Sequence, residues 1–329
     1  MVGFACACYT FGVKTILMFL FLSAGIVTAA DPQPDSVSGA IENALPYLGK
    51  EGAWWITKKK CVSCHHTTFL VWAKELALAA DFSVDPAVLD EQRKWIWTSF
   101  LGKIKPNPKT PDVQPKPGEV NGDRNVEGVS QFLVSPSANK APDSIIESLK
   151  KIVVSNQDKQ GNWSPGGQLP QQDRPKVEIQ WTSNQWAELA LKSKATEPIH
   201  PTHTWKEGVS SLTSEWQMLN LMLRPKNPHS LANLLKRQNE DGGWSWINDE
   251  PSDPSGTGQA LIALGRTGNA KDHPEAVRRA QQFLIKSQTG DGYWETKGTK
   301  DRDETSRVSN FWGTSWAVIG LLETLPPKK

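Results

Sequence analysis

Three short segments constrain this chain more than any other feature. They are QDKQGNW (Gln157 to Trp163), QNEDGGW (Gln238 to Trp244) and QTGDGYW (Gln288 to Trp294). Each reads Gln, three residues, Gly, one residue, Trp, so the chain is built from repeats. A proline-started amphipathic pattern precedes each copy, in APDSIIESLKKIVVSNQ, NPHSLANLLKRQ and HPEAVRRAQQFLIKSQ. Proline at a helix start sacrifices no intrahelical bond. Apolar residues then recur at helical spacing, as in Ile145, Leu149 and Ile152, or Val277, Ala280 and Leu284.

The segments after the copies differ in kind. GTGQALIALG (from Gly256) and GTSWAVIGLLETL (from Gly313) are apolar nearly all round, which marks helices buried on every side. TSNQWAELALK and TSEWQMLNLML are related but more polar. The order amphipathic helix, turn, apolar helix predicts an all-α fold with inner and outer layers. Glycine permits the tight turn, tryptophan supplies an apolar plate, and glutamine serves free backbone groups at helix ends. The turns help explain fifteen tryptophans.

These turns resemble the QW motifs of the squalene–hopene and oxidosqualene cyclase superfamily, whose architecture is shared by protein prenyltransferase β-subunits. The resemblance implies an (α/α) toroid with a central cavity. It covers roughly Ile41 to Leu325, and a single domain over 41–326 is expected. Within it, IENALPYLGKEGAWW resembles an outer helix with a degraded turn at Gly52 and Trp54. A proline-rich loop is expected over 103–141, containing a short inner helix in NVEGVSQFLV.

The N-terminus has the layout of a secretory signal peptide over residues 1–30. Lys14 precedes TILMFLFLSAGIV, and small residues follow at Thr28, Ala29 and Ala30. A flexible mature start over 31–40 and a periplasmic or secreted location are expected. The net charge of +2 gives no sign of nucleic-acid binding, and peripheral membrane contact is not indicated.

Removing the leader would remove Cys6 and Cys8 and leave Cys61 and Cys64 alone, inside KKKCVSCHHTTFLVW. Cys-x-x-Cys-His resembles the haem-attachment motif of c-type cytochromes. The resemblance implies haem c held by both thiols, with His65 on the iron and an electron-transfer or ligand-sensing role. No sixth ligand is readable. Met218, Met222, His200, His203, His229 and His273 are the remaining options, and the redox partner is unknown. Zinc held by Cys61, Cys64, His65 and His66 is the alternative cofactor, and a disulfide is a further one.

An enzyme is the alternative function, either a zinc-dependent one or a lyase acting on an isoprenoid. Hopene-type cyclases carry Asp-x-Asp-Asp before an inner helix, and the comparable place here is EPSDPSGTGQALIAL. Asp253 matches the first aspartate. Ser255 stands where the resemblance implies the proton donor, so cyclase acid chemistry is not retained. Asp249, Glu250 and Asp253 form an acidic cluster that is a weak catalytic candidate. The plainer reading is an exposed turn and helix cap. A third reading is a non-enzymatic binding module. Its cavity would hold an apolar or carbohydrate ligand on tryptophan faces, with Trp54, Trp55, Trp72, Trp181, Trp186, Trp216, Trp246 and Trp316 as candidates for the lining.

Overall fold

Helices begin where the sequence offers caps. The computed structural model describes residues 34–62, 66–104, 115–167, 169–193 and 212–325. The expected leader, Cys64, His65, His200 and His203 lie outside the described residues. Eleven α-helices occur among those described: α1 (Val37–Trp54), α2 (Thr67–Ala79), α3 (Pro86–Leu101), α4 (Val126–Val134), α5 (Asp143–Ser155), α6 (Lys176–Ser193), α7 (Ser214–Leu223), α8 (Pro228–Lys236), α9 (Pro254–Arg266), α10 (Pro274–Ser287) and α11 (Arg307–Glu323). Proline occupies the first turn of α3, α8, α9 and α10. Side chains of Asp85, Asn227 and Asp253 accept from first-turn amides, satisfying groups with no intrahelical partner. Isolated bridges occur, but no strand is formed among the described residues.

The apolar helices close on themselves. α2 packs on α4, α4 on α6, α6 on α7, α7 on α9, α9 on α11, and α11 on α2. The amphipathic helices form an outer layer. α1 lies on α11 and α2, α3 on α2, α5 on α4, α8 on α7, and α10 on α9 and α1. This is the α/α toroid the repeats predict. α9 and α11 come closest, because a methyl group at Gly320 would lie 2.6 Å from the Gly258 carbonyl oxygen. At the centre Trp316 meets Phe69 (centroids 4.5 Å apart), Trp312 (5.9 Å), Trp186 (6.4 Å) and Trp72 (6.5 Å).

The three repeat turns are one device used three times. The glutamine amide donates to the glycine carbonyl in each, from Gln157 to Gly161 (3.0 Å), Gln238 to Gly242 (2.8 Å) and Gln288 to Gly292 (2.9 Å). Each indole N–H donates back to the preceding outer helix, Trp163 to Val153, Trp244 to Leu234 and Trp294 to Leu284. Each tryptophan amide N–H donates to the following inner helix, at Asn184, Thr257 or Thr314. The glycines have φ of 83°, 93° and 81°. The motif thus fastens an outer helix to the next inner one.

Gly52 and Trp54 do not form the degraded turn expected of them. Both lie within α1, which runs on as a π-helical turn, Trp55–Lys59, and ends at left-handed Lys60. Gly52 is needed for closeness instead, since a methyl group there would strike the Leu70 side chain of α2. The segment read as a short inner helix is α4, a full member of the ring. Among the described residues no helix is long and apolar enough to cross a membrane.

Candidate functional site

The inner helices α4, α9 and α11 bring their first turns to one mouth of the ring. A cavity of about 400 Å³ opens there, lined by Trp55, Glu127, Gln131, Gln172, Trp312 and the loop Gly298–Asp301. A second hollow of about 320 Å³ adjoins it, sharing Gly298, Thr299, Thr305 and Trp312, and is lined also by Trp246, Glu250 and Asp253. The loop is held down by Asp173 N–H donating to the Thr299 carbonyl (2.7 Å) and by the Arg302–Glu250 ion pair. Volumes of this size suit small organic ligands.

A buried polar network underlies the mouth. Arg174 is fully buried and donates to Glu215 (3.0 Å), Thr213 (3.2 Å) and Thr182 (3.3 Å). Trp186 Nε1 donates to the other Glu215 oxygen at 2.9 Å. Glu178 receives the amides of Leu212 and Thr213, both at 2.9 Å. The guanidiniums of Arg174 and Arg302 lie over the Trp246 ring, 5.7 Å and 5.4 Å from its centroid. Such donor-rich enclosure holds the pair in place, since breaking it would strand a buried charge.

Glu127 differs from these carboxylates. Its Oε1 accepts from Gln131 Nε2 at 3.1 Å, while its Oε2 and Gln131 Oε1 have no partner within the protein. Glu127 is 4% exposed and Gln131 1%. Burial, with the nearby Glu215 charge, pushes the Glu127 carboxyl well above the ordinary carboxylate range against the opposing pull of Arg174. Glu127 thus holds its proton more tightly than an ordinary carboxyl.

Of the acidic cluster read from the sequence, Glu250 and Asp253 share the second hollow and Asp249 lies apart. Asp249 lines a separate polar pocket with Lys236 and Arg237. Glu250 is paired with Arg302. Asp253 caps α9, accepting from Gly256 N–H at 2.9 Å and from Trp246 N–H. Burial raises its carboxyl to about 6, against hydrogen bonds that favour the charge.

Of the Cys-His motif, Cys61 and His66 are described. Cys61 is exposed, and its carbonyl accepts from Trp55 Nε1 at 2.8 Å. Desolvation by the neighbouring protein pushes its thiol up. The Val62 carbonyl accepts from Asn125 Nδ2 at 3.2 Å. The segment entering the motif is thus pinned to α1 and to the cap of α4, beside the mouth. His66 is buried and stacked between Trp55 (3.9 Å) and Phe311 (4.2 Å, interplanar 4°). Met218 is buried in the core, and His229 lies exposed on α8. No three His, Cys, Asp or Glu side chains among the described residues are grouped to hold a metal.

Trp55 and Trp246 line the two hollows, as expected from the sequence. Trp72, Trp186 and Trp316 are packed in the core instead. Trp312, Glu127, Gln131 and Arg174 were missed. The signal for two of them was a glutamate with glutamine four residues on, in an otherwise apolar short segment.

Residues 197–291 match the squalene-hopene cyclase N-terminal domain. The chain is 42% identical over 64 residues to a drimenyl diphosphate synthase of Streptantibioticus cattleyicolor, covering 20% of this chain and 12% of the relative. It is 40% identical over 68 residues to a drimenyl diphosphate synthase of Streptomyces showdoensis, covering 21% and 13%. The fold is of the squalene-cyclase type. These matches support the cyclase/prenyltransferase-like superfamily. The alignments span about an eighth of the relatives' length, so the likeness concerns the repeat scaffold and not the relatives' whole machinery.

Proposed function

We propose that this chain is an exported toroid protein that carries haem c through Cys61, Cys64 and His65, with an electron-transfer or ligand-sensing role. The observation that carries the reading is the Cys-x-x-Cys-His sequence entered from a pinned segment at the ring mouth. Bound there, haem would supply a redox-active, ligand-accepting iron. The two thiols would each add across a vinyl group, S bonding to one carbon and the thiol hydrogen passing to the other, with no oxidant consumed. His65 would hold the iron. His66 is left to packing by its stack on Trp55 and Phe311. Zinc through the same thiols is less well supported, because His66, the fourth member of that ligand set, is stacked between Trp55 and Phe311.

Expression in an oxidising compartment with haem-maturation factors tests this. The expected product is coloured and heavier by one haem, and it keeps its colour after acid–acetone extraction. Ser at both Cys61 and Cys64 removes the mass and the colour together. A colourless, unmodified wild-type protein from those cells would refute the reading.

An isoprenoid cyclase or lyase, the activity class suggested by the relatives' names, is less favoured. Asp253 is engaged as a cap, and Ser255 cannot protonate an alkene.

A further inference from the structure

We propose that the mouth cavity binds a hydroxyl-rich ring, a carbohydrate or cyclic polyol, with Trp55 and Trp312 as its walls and Glu127 and Gln131 as its hydrogen-bonding pair. The chemistry of those two side chains selects the ligand. Glu127 spends Oε1 on Gln131 and leaves Oε2 free of protein partners, and Gln131 leaves Oε1 free likewise. Two buried polar atoms, one turn apart on α4, are thus left for a ligand to satisfy. A hydroxyl group can donate or accept, so neighbouring hydroxyls of one ring can serve both.

Both side chains are more than nine-tenths buried and line the cavity. An isoprenoid chain there would leave both atoms unsatisfied, which weakens its binding. The walls favour a ring with apolar C–H faces, which aromatic plates accept. The rim carries Lys300, Asp301 and Glu304, of mixed sign, and so selects for no charge. Gln172, Thr299 and Thr305 add further polar groups to the lining. The cavity's volume of about 400 Å³ accommodates one or two sugar rings. This inference does not rest on the haem reading, since none of its residues lies in the Cys-His motif.

The test is isothermal calorimetry on the mature protein, a readout indifferent to haem colour. The probes are glucose, N-acetylglucosamine, cellobiose and myo-inositol, with farnesol as the apolar control. Saturable binding of at least one hydroxylated probe is expected. Trp312→Ala and Glu127→Ala should each weaken it about tenfold, the equivalent of ~1.4 kcal/mol. Glu127→Gln keeps a hydrogen-bonding group of the same shape and should bind within about threefold of wild type, a difference below one hydrogen bond. If the alanine variants do not fold, Trp312→Leu and Glu127→Leu, which keep bulk but remove the ring face and the polar group, carry the comparison. Saturable binding of farnesol alone, or no binding by any hydroxylated probe in folded protein, would overturn the proposal. Sugar binding that the alanine or leucine variants leave unchanged would overturn its location.

Discussion

The side-chain amide of Gln288 donates to the main-chain carbonyl of Ala40 at 2.8 Å, joining residues 248 positions apart. Gln288 stands in the turn after α10, and Ala40 lies in the first turn of α1, so this contact seals the first outer helix to the last. Gln238 does the same one step earlier, donating to Ala276 of α10. In both turns the glycine presses against the backbone of the next outer helix, at Asn43 for Gly292 and at Arg279 for Gly242. The turn residues therefore set the spacing around the ring as well as the chain reversal.

Gln288→Ala should lower unfolding stability by about 1–3 kcal/mol, because a buried carbonyl is left without its donor. Gly292→Ala should cost more. It adds a methyl group against the Asn43 carbonyl oxygen and forces alanine into a left-handed conformation at φ of 81°. Gly268→Ala is the control, at φ of 77° with no atom near the added carbon, and it should cost only the backbone term of about 1–2 kcal/mol. Urea midpoints of the three variants check the order.

Arg174 and Glu215 form a buried pair at 3.0 Å, with both side chains nearly inaccessible. Replacing Arg174 by methionine should destabilise the protein by about 3–5 kcal/mol, since Glu215 is left charged without its cation. Exchanging both residues for apolar ones should recover much of that loss. The recovery, measured in a double-mutant cycle by denaturant unfolding, separates pair geometry from the cost of a stranded charge.

Much of this architecture was legible because the turn motif does the same job at each copy. Gln157, Gln238 and Gln288 each bond the carbonyl of the glycine four residues on, so a local pattern reported a global ring. The layers were legible too, since GTSWAVIGLLETL has no polar face to show solvent. The mouth was harder to read. Trp312 and Arg174 are separated by more than a hundred residues, and only ring closure brings them to one place. Glu127 was hidden for another reason. Its burial, which raises its carboxyl, and not its spacing sets it apart. At Gly52 the pattern misled, because a glycine that lets α1 approach α2 looks in sequence like one that permits a turn.

Asp253 makes stability depend on pH. Its carboxyl titrates near 6 in the folded chain, against an ordinary value of 3.8. The folded state then binds more protons than the unfolded state between those values, so stability falls as pH rises through that window. Below the lower value the term vanishes, and above about 6 the loss is complete. Asp253→Asn keeps a capping oxygen and should flatten this part of the profile. Thermal unfolding followed from pH 4 to 7.5 is the measurement, about two units either side of the midpoint. An unchanged slope in the variant would assign it to other groups.

Asn125 is the residue through which the Cys-His segment reports to the ring. Its Oδ1 accepts from Gly128 N–H at 3.1 Å and caps α4, while its Nδ2 donates to the Val62 carbonyl at 3.2 Å. Alanine removes both bonds and should cost about 1–2 kcal/mol, chiefly from the lost cap. Aspartate keeps the cap and loses only the donor to Val62, so global stability should change by less than about 1 kcal/mol. Both variants free the chain entering Cys61, and trypsin should cut faster after Lys58, Lys59 or Lys60 in each. Equal cleavage in wild type and Asn125→Asp would mean that the Trp55 bond to the Cys61 carbonyl alone fixes the segment.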